Sequence, residues 1–150
     1  MRVVAAPDKF RGTASAAAVA AVVARSVVDA GGSAVEVPMA DGGEGTLEAL
    51  GGPNRTTRVT GPLGRPVEAS WRLDGSTAVI EMALTSGLLL AGGSDGNRAL
   101  DATTAGTGEL IRLAVEQGAR RVLVGMGGSA TTDGGLGALR AMGSPARYRE

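Results

Sequence analysis

One succession recurs three times in this chain and constrains its fold more than any other feature: a short apolar run, a glycine-bearing loop with acidic or hydroxyl side chains, then a helix-like segment. RVVAA (2–6) leads into PDKFRGT (7–13), AVEVP (34–38) leads towards ADGGEGT (40–46), and RRVLV (120–124) runs into GMGGSATTDGG (125–135). The last loop holds five glycines in eleven residues. Strand, helix and strand in this order make a βαβ unit and hence a parallel sheet. In an open α/β sheet such loops gather at the C-terminal strand ends, where ligands bind.

The remaining elements follow from local pattern. SAAAVAAVVARSVVDAG (15–31) reads as a helix with Val19, Val22, Val23 and Val27 on one face, an Arg25–Asp29 pair on another, and Gly31-Gly32 as its stop. TLEAL (46–50) is a short helix. The texture changes after GGPN (51–54): RTTRVT (55–60), PVEASWRL (66–73) and TAVIEMAL (77–84) are strand-like, and Asp74-Gly75 is a hairpin turn signal. Beyond this antiparallel meander, residues 102–125 read as helix then strand, with Thr107 as N-cap, Glu109 in the first turn and Gly118 as the stop. LGALRAM (136–142) begins another helix. The fold class expected is α/β: a βαβ parallel-sheet start, an antiparallel meander, then further α/β. Residues 1–55 are expected to begin a Rossmann-like domain, 56–143 to form part of a second α/β domain, and 144–150 (SPARYRE) to be a divergent tail.

Composition narrows the chemistry. The chain is 43% hydrophobic and 2% aromatic, so Ala, Val and Leu must build the core. Fifteen basic and fifteen acidic residues balance, which argues against nucleic acid or an anionic membrane as partner. With no cysteine and no histidine, disulfides, zinc sites built on these ligands, and Ser-His or Cys-His catalysis are excluded. The longest apolar run, AAAVAAVVA (16–24), is too short to span a bilayer. MRVVAAPDK lacks the pattern of a signal peptide, and a cytoplasmic location is expected.

The three loops suit an anion. Glycine lets backbone N–H groups turn towards phosphate oxygens, and a following helix adds its positive end. Ser129, Thr131 and Thr132 can donate hydrogen bonds; Asp41, Glu44 and Asp133 can hold Mg²⁺ or accept a hydroxyl proton. Lys9, the one lysine in the chain, and Arg11 supply positive charge. Each loop alone reads as a tight turn, and Asp41 or Asp133 alone as a helix cap or Asx-turn; their coincidence at sheet ends favours a phosphate or nucleotide site. A Walker A motif is absent. Gly125-x-Gly127-x-x-Ala130 fits the relaxed dinucleotide fingerprint, but the acid expected roughly 20 residues on would have to be Glu150.

As an ordered set, APDKFRGTASA (6–16), PMADGGEGTLEAL (38–50), VTGPLGRPVEASW (59–71), TAVIEMA (77–83), SGLLL (86–90), TTAGTGELI (103–111) and GMGGSATTDGG (125–135) resemble the bacterial glycerate kinase family. The resemblance implies an ATP-dependent kinase that phosphorylates a hydroxyl of glycerate, with two α/β-type domains and the active site in the cleft between them, and phosphoryl transfer in turn asks for Mg²⁺. It points to Asp8, Lys9 and Arg11, to Asp41, Gly42, Gly43 and Glu44, and to Gly127, Gly128, Ser129, Thr131 and Asp133. Chemistry then suggests the 127–131 backbone and hydroxyls for ATP phosphates, and Lys9 and Arg11 for phosphate or carboxylate. Asp41 would orient or deprotonate the glycerate hydroxyl, and Asp133 and Glu44 would contact Mg²⁺, the Asp41 and Asp133 roles being interchangeable. The sequence departs from the family pattern at Thr132 (usually Asn), Ala105 (often Tyr) and Arg11 (usually Lys). Family members are more than twice as long, so the chain resembles an N-terminal portion whose likeness ends near residue 143. Two other readings are a catalytically inactive truncated kinase that self-associates through incomplete sheet edges, and a small dinucleotide-binding module.

Overall fold

The parallel start is present. Strand β1 (Arg2–Ala5) pairs in parallel with β2 (Ser33–Glu36), in register from Arg2↔Ser33 to Ala5↔Glu36, and helix α1 (Ala16–Asp29) makes the crossover. The structure, a computed structural model, describes residues 1–10 and 13–144. Ser15 caps α1 by accepting the Ala18 N–H at 3.2 Å. At the other end Gly31, at φ +76°, donates its N–H to Val28 and the Gly32 N–H reaches Val27. This paired closure needs a left-handed residue, which glycine adopts without a Cβ clash.

The face that α1 buries is not the expected valine face. Ala20 and Ala24 are its buried residues, Val19 and Val27 are half-buried, and Val22 and Val28 are 60% and 59% exposed. Small residues four apart let the helix approach the two-stranded sheet, and among the described residues nothing covers the outward valines. Arg25 and Asp29 are absent from the ion pairs within 4.0 Å among the described residues. Among the described residues the outer edges of β1 and β2 pair with no other strand.

The second sheet has the order β3 (Arg55–Thr60), β4 (Pro66–Asp74), β5 (Thr77–Glu81), β6 (Arg121–Gly125). The first three form the antiparallel meander, and β6 joins β5 in parallel. Asp74 pairs with Thr77, so the two-residue hairpin loop is Gly75-Ser76, one position later than the Asp74-Gly75 signal implies. Strand β5 stops at Glu81 rather than continuing to 84, because the chain winds into the short helix α3 (Ala83–Ser86) as the Thr85 and Ser86 amides bond back to Met82. Helices α2 (Thr46–Ala49) and α4 (Gly93–Gly96) are equally short.

Helix α5 (Ala105–Glu116) carries the chain from β5 to β6, and α6 (Leu136–Ala141) follows β6. Gly51, Gly118 and Gly143 close α2, α5 and α6 as Gly31 closes α1. Thr107 is not the cap of α5. The helix starts at Ala105, and the buried Thr107 hydroxyl lies 2.6 Å from Thr85 Oγ1 and 3.2 Å from Ser86 Oγ. Glu109 lies beyond the first turn and accepts both the Thr60 N–H (2.8 Å) and the Thr60 hydroxyl (2.7 Å), tying α5 to the end of β3. Among the described residues no helix is long and apolar enough to cross a membrane.

The core lies between the second sheet and α5. Ala69, Trp71 and Leu73 alternate inward along β4 and meet Val59, Ala78, Ile80, Leu110, Ala114 and Ala119. Trp71 is fully buried; its indole N–H donates to Thr57 Oγ1 at 3.0 Å, and the Arg55 guanidinium lies 5.5 Å from the ring centroid. In an alanine-rich core this side chain supplies much of the apolar contact between sheet and helix. Trp71→Ala is therefore expected to cost about 3–5 kcal/mol, read as a lowered urea midpoint at unchanged slope.

Candidate functional site

The site is built on a crossing of two glycine loops. The Gly127 N–H donates to the Gly42 carbonyl at 2.8 Å. A Cβ on Gly127 would stand 2.5 Å from Gly43 Cα, and one on Gly125 would stand 2.6 Å from the Gly42 oxygen. The glycines of ADGGEGT and GMGGS are thus needed for loop-on-loop contact, in addition to any phosphate they could wrap.

Lys9 closes the arrangement from the first loop. Its Nζ lies 3.2 Å from Asp41 Oδ1, with the lysine side chain 16% exposed and the aspartate 54%. The same Oδ1 accepts the Gly43 N–H at 2.9 Å. The Gly43 amide foremost, and then the Lys9 ammonium, hold the Asp41 carboxyl below its ordinary 3.8. Asp8 accepts the Lys9 backbone N–H at 2.7 Å.

Lys9, Asp41, Gly43, Glu44, Gly127 and Gly128 line one cavity of about 490 Å³, with Leu84, Leu88, Leu89 and Leu90 also on its wall. A neighbouring cavity of about 380 Å³ shares Lys9 and Glu44 and adds Asp8 and Ser15. The SGLLL segment enters the sequence analysis only as part of the family resemblance, and its leucines carry no site role there. Among the described residues no group of three or more Asp or Glu side chains is placed to hold a metal ion; Glu44 is the carboxylate common to both cavities.

Other expected residues are engaged elsewhere. Ser129 Oγ lies 3.0 Å from Thr131 Oγ1 and accepts the Thr131 N–H. Residues 128–130 are held to 86–88 by Leu88 N–H to Gly128 O and Ala130 N–H to Ser86 O. Thr132 donates its hydroxyl to Ala99 O. Asp133 Oδ2 accepts the Thr104 N–H (2.9 Å), the Thr104 hydroxyl (2.8 Å) and the Gly137 N–H (3.1 Å), while Oδ1 accepts the Gly135 N–H (3.0 Å). It thus joins the starts of α5 and α6. Arg11 lies outside the described residues, as does residue 150, the acid required by a dinucleotide fingerprint. The fingerprint fails on geometry: α6 begins at Leu136, several loop residues after Ala130, so no helix opens on its glycines.

One residue escaped the sequence reading. Glu81, 3% exposed at the end of β5, accepts the Leu47 N–H at the start of α2. Its signal was a lone acid inside the apolar run TAVIEMA.

Burial acts to raise the Asp133 pKa, but its bonds from Thr104, Gly135 and Gly137 outweigh that and leave it below 3.8. The sign follows: a depressed carboxylate contributes stability above its unfolded pKa, and loses it as pH falls through the folded one. Asp133→Ala is expected to destabilise on the order of 2 kcal/mol at neutral pH. The gap between the thermal melts of variant and parent should narrow as pH falls through the lowered folded value of Asp133.

The sequence model of the Glycerate kinase family matches residues 3–148, beyond the limit near 143 suggested by the motifs. The chain is 46% identical to a "Glycerate 2-kinase" of Escherichia coli over 96% of its own length and 40% of that protein. It is 46% identical to a "Glycerate kinase" of Bacillus subtilis over 95% of its length and 39% of that protein. A crystal structure from Salmonella typhimurium assigned to glycerate kinase 2 superposes with a TM-score of 0.74 at 39% identity, covering 94% of this chain and 40% of that one. The chain thus spans about 40% of the length of the curated relatives it matches.

Proposed function

The chain belongs to the glycerate kinase family, and from that premise we propose that the Lys9–Asp41 cavity is where the protein carrying this chain transfers a phosphoryl group from ATP to a hydroxyl of glycerate. The observation that carries the reading is the 3.2 Å contact of Lys9 with Asp41 on the wall of a cavity that also presents bare glycine backbone and a row of leucines. Glycerate is small and polar and has no use for leucines. A nucleotide base does, so the base is placed against Leu84, Leu88 and Leu90, and the phosphates towards Gly127, Gly128 and Lys9.

Phosphoryl transfer asks for positioning and charge neutralisation. Lys9 binds phosphate oxygens as a point charge. Asp41, kept ionised by Gly43 and Lys9, is acceptor-only at neutral pH and takes the hydrogen bond of the glycerate hydroxyl, then its proton as the hydroxyl oxygen bonds to the γ-phosphorus and the bond from that phosphorus to the departing ADP oxygen breaks. Gly127 and Gly128 let the backbone approach the phosphates. Glu44 is the carboxylate that would help to hold a Mg²⁺ ion, which needs only one or two protein carboxylates and would supply charge neutralisation at the phosphates. Asp133, with its oxygens committed to Thr104, Gly135 and Gly137, is assigned to holding the loop rather than to the metal. Ser129 and Thr131 shape the same loop, and an ATP-driven reaction of this kind belongs in the cytoplasm.

ADP release on adding glycerate to the protein with Mg²⁺-ATP tests this. Asp41→Asn is expected to lower kcat by about 10²–10⁴-fold with the KM for ATP little changed, whereas Lys9→Met raises that KM as well. ATP turnover indifferent to glycerate would remove the substrate assignment.

A further inference from the structure

Glu81 is an acid where the surroundings favour an apolar residue. It sits at the C-terminal end of β5, between the fully buried Ile80 and the buried Met82, paired in register with Gly125 of β6. Its Oε1 accepts the Leu47 N–H at 2.5 Å. Taking a carboxylate out of water is costly, and an apolar residue of similar volume is often at least as stable in such a place. Stability alone does not account for it.

What Glu81 touches supplies an account. Leu47, itself buried, lies in α2, and α2 is the continuation of the ADGGEG turn. Thr46 donates its hydroxyl and its N–H to the Gly43 carbonyl at 2.7 and 3.2 Å. Gly43 donates to Asp41, and Asp41 meets Lys9. Gly125, the register partner of Glu81, is also the residue on which the Gly42 carbonyl rests. An unbroken run of short contacts therefore leads from the Glu81 carboxylate through Leu47, Thr46 and Gly43 to the Asp41–Lys9 pair.

We propose that Glu81 is the positioning residue of the transfer site: its carboxylate seats the start of α2 and so fixes the Gly42–Thr46 turn, which in turn holds Asp41 against Lys9. The proposal rests on the reading of the Lys9–Asp41 cavity as the reactive centre, but its test does not need turnover. Burial pushes the Glu81 carboxyl above its ordinary 4.5; the Leu47 and Gly45 amides oppose this, Glu44 adds to it, and Lys9 opposes it. Among the described residues, Glu44 and Lys9 are the charged groups that act on Glu81. A raised carboxyl makes the fold more stable when protonated, and that stability falls as pH rises from 4.5 through the folded value. The ionised form, the better acceptor for Leu47, is the one that orders the turn.

A pH titration of the chain followed by NMR tests the link. The Glu81 carboxyl carbon, the Leu47 and Gly43 amides and the Asp41 carboxyl carbon should share one step with a midpoint above 4.5, separate from Asp41's own step below 3.8. In Glu81→Gln the shared step should vanish from Asp41 while its own step remains. A Leu47 amide that follows Glu81 while Gly43 and Asp41 do not would overturn the proposal, because Glu81 would then seat α2 and nothing more. The parent titration alone decides this if the variant does not fold. In the active protein, Glu81→Gln should lower kcat roughly 10–100-fold with the KM for ATP changed less than about twofold; an unchanged kcat would also overturn it. A protein that turns over no glycerate leaves the titration result standing, so the two failures are distinguishable.

Discussion

The arrangement depends on the contact of two backbones, Gly42–Gly43 against Gly125–Gly127. Carbon–carbon contacts normally settle at about 3.5–4.0 Å, and a Cβ on Gly127 would come within 2.5 Å of Gly43 Cα. A single methyl group at 127 would therefore force the loops about 1 Å apart. The 2.8 Å bond from Gly127 to Gly42 would lengthen with them. Asp41 lies one residue before Gly42 and takes its bond from Gly43, so its meeting with Lys9 depends on the same closeness. The crossing also explains why α2, which follows the first sheet in sequence, packs beneath the end of β5 in the second.

Two carboxylates near this crossing are driven in opposite directions. Asp41 is open to solvent, bound by an amide and an ammonium, and its pKa is lowered. Glu81 is sealed from solvent, and burial raises its pKa despite the amides it binds. Environments that separate the pKa values of two nearby acids commonly separate their duties. Here exposure fits Asp41 to meet a ligand, and burial fits Glu81 to act through the backbone between them.

Much of the fold was legible because it is local. The order of strands and helices, the meander and the helix stops at Gly31 and Gly118 are set by residues adjacent in sequence. Errors arose where a distant partner decides. Thr107 has the right residue type for a cap, but Asp133 bonds Thr104 from 29 positions away, and Thr107 turns instead to Thr85. The valines of α1 follow an apolar pattern, yet which face of a mostly apolar helix is covered depends on what the tertiary structure puts beside it. In the site, Lys9, Asp41 and the glycines of both loops could be named because strand ends converge in an α/β sheet and because the ordered motifs resemble a known family. The partners of Ser129, Thr131 and Asp133 could not be read that way, since a hydroxyl or carboxylate in a loop has many acceptors and donors within reach. Glu81 was hidden by position: one acid in an apolar run carries no local mark of the amide it will meet.

A core with one tryptophan and many alanines leaves the placement of α5 weakly specified by apolar contact, because a methyl group offers little shape. Polar bonds supply what is missing. Glu109 fixes the helix on Thr60, Thr107 on Thr85, and Asp133 fixes its start against α6. Satisfied polar groups of this kind, Thr107 buried and Glu109 and Asp133 half-buried, select one orientation among several of similar apolar burial. They also anchor the 125–135 loop from both sides: Ser86 and Leu88 hold its middle, and Thr104 holds its end through Asp133. With the loop pinned there, Gly127 and Gly128 are the stretch of it that lines the larger cavity. The polar network that orders an alanine-rich core therefore also decides which backbone lines that cavity.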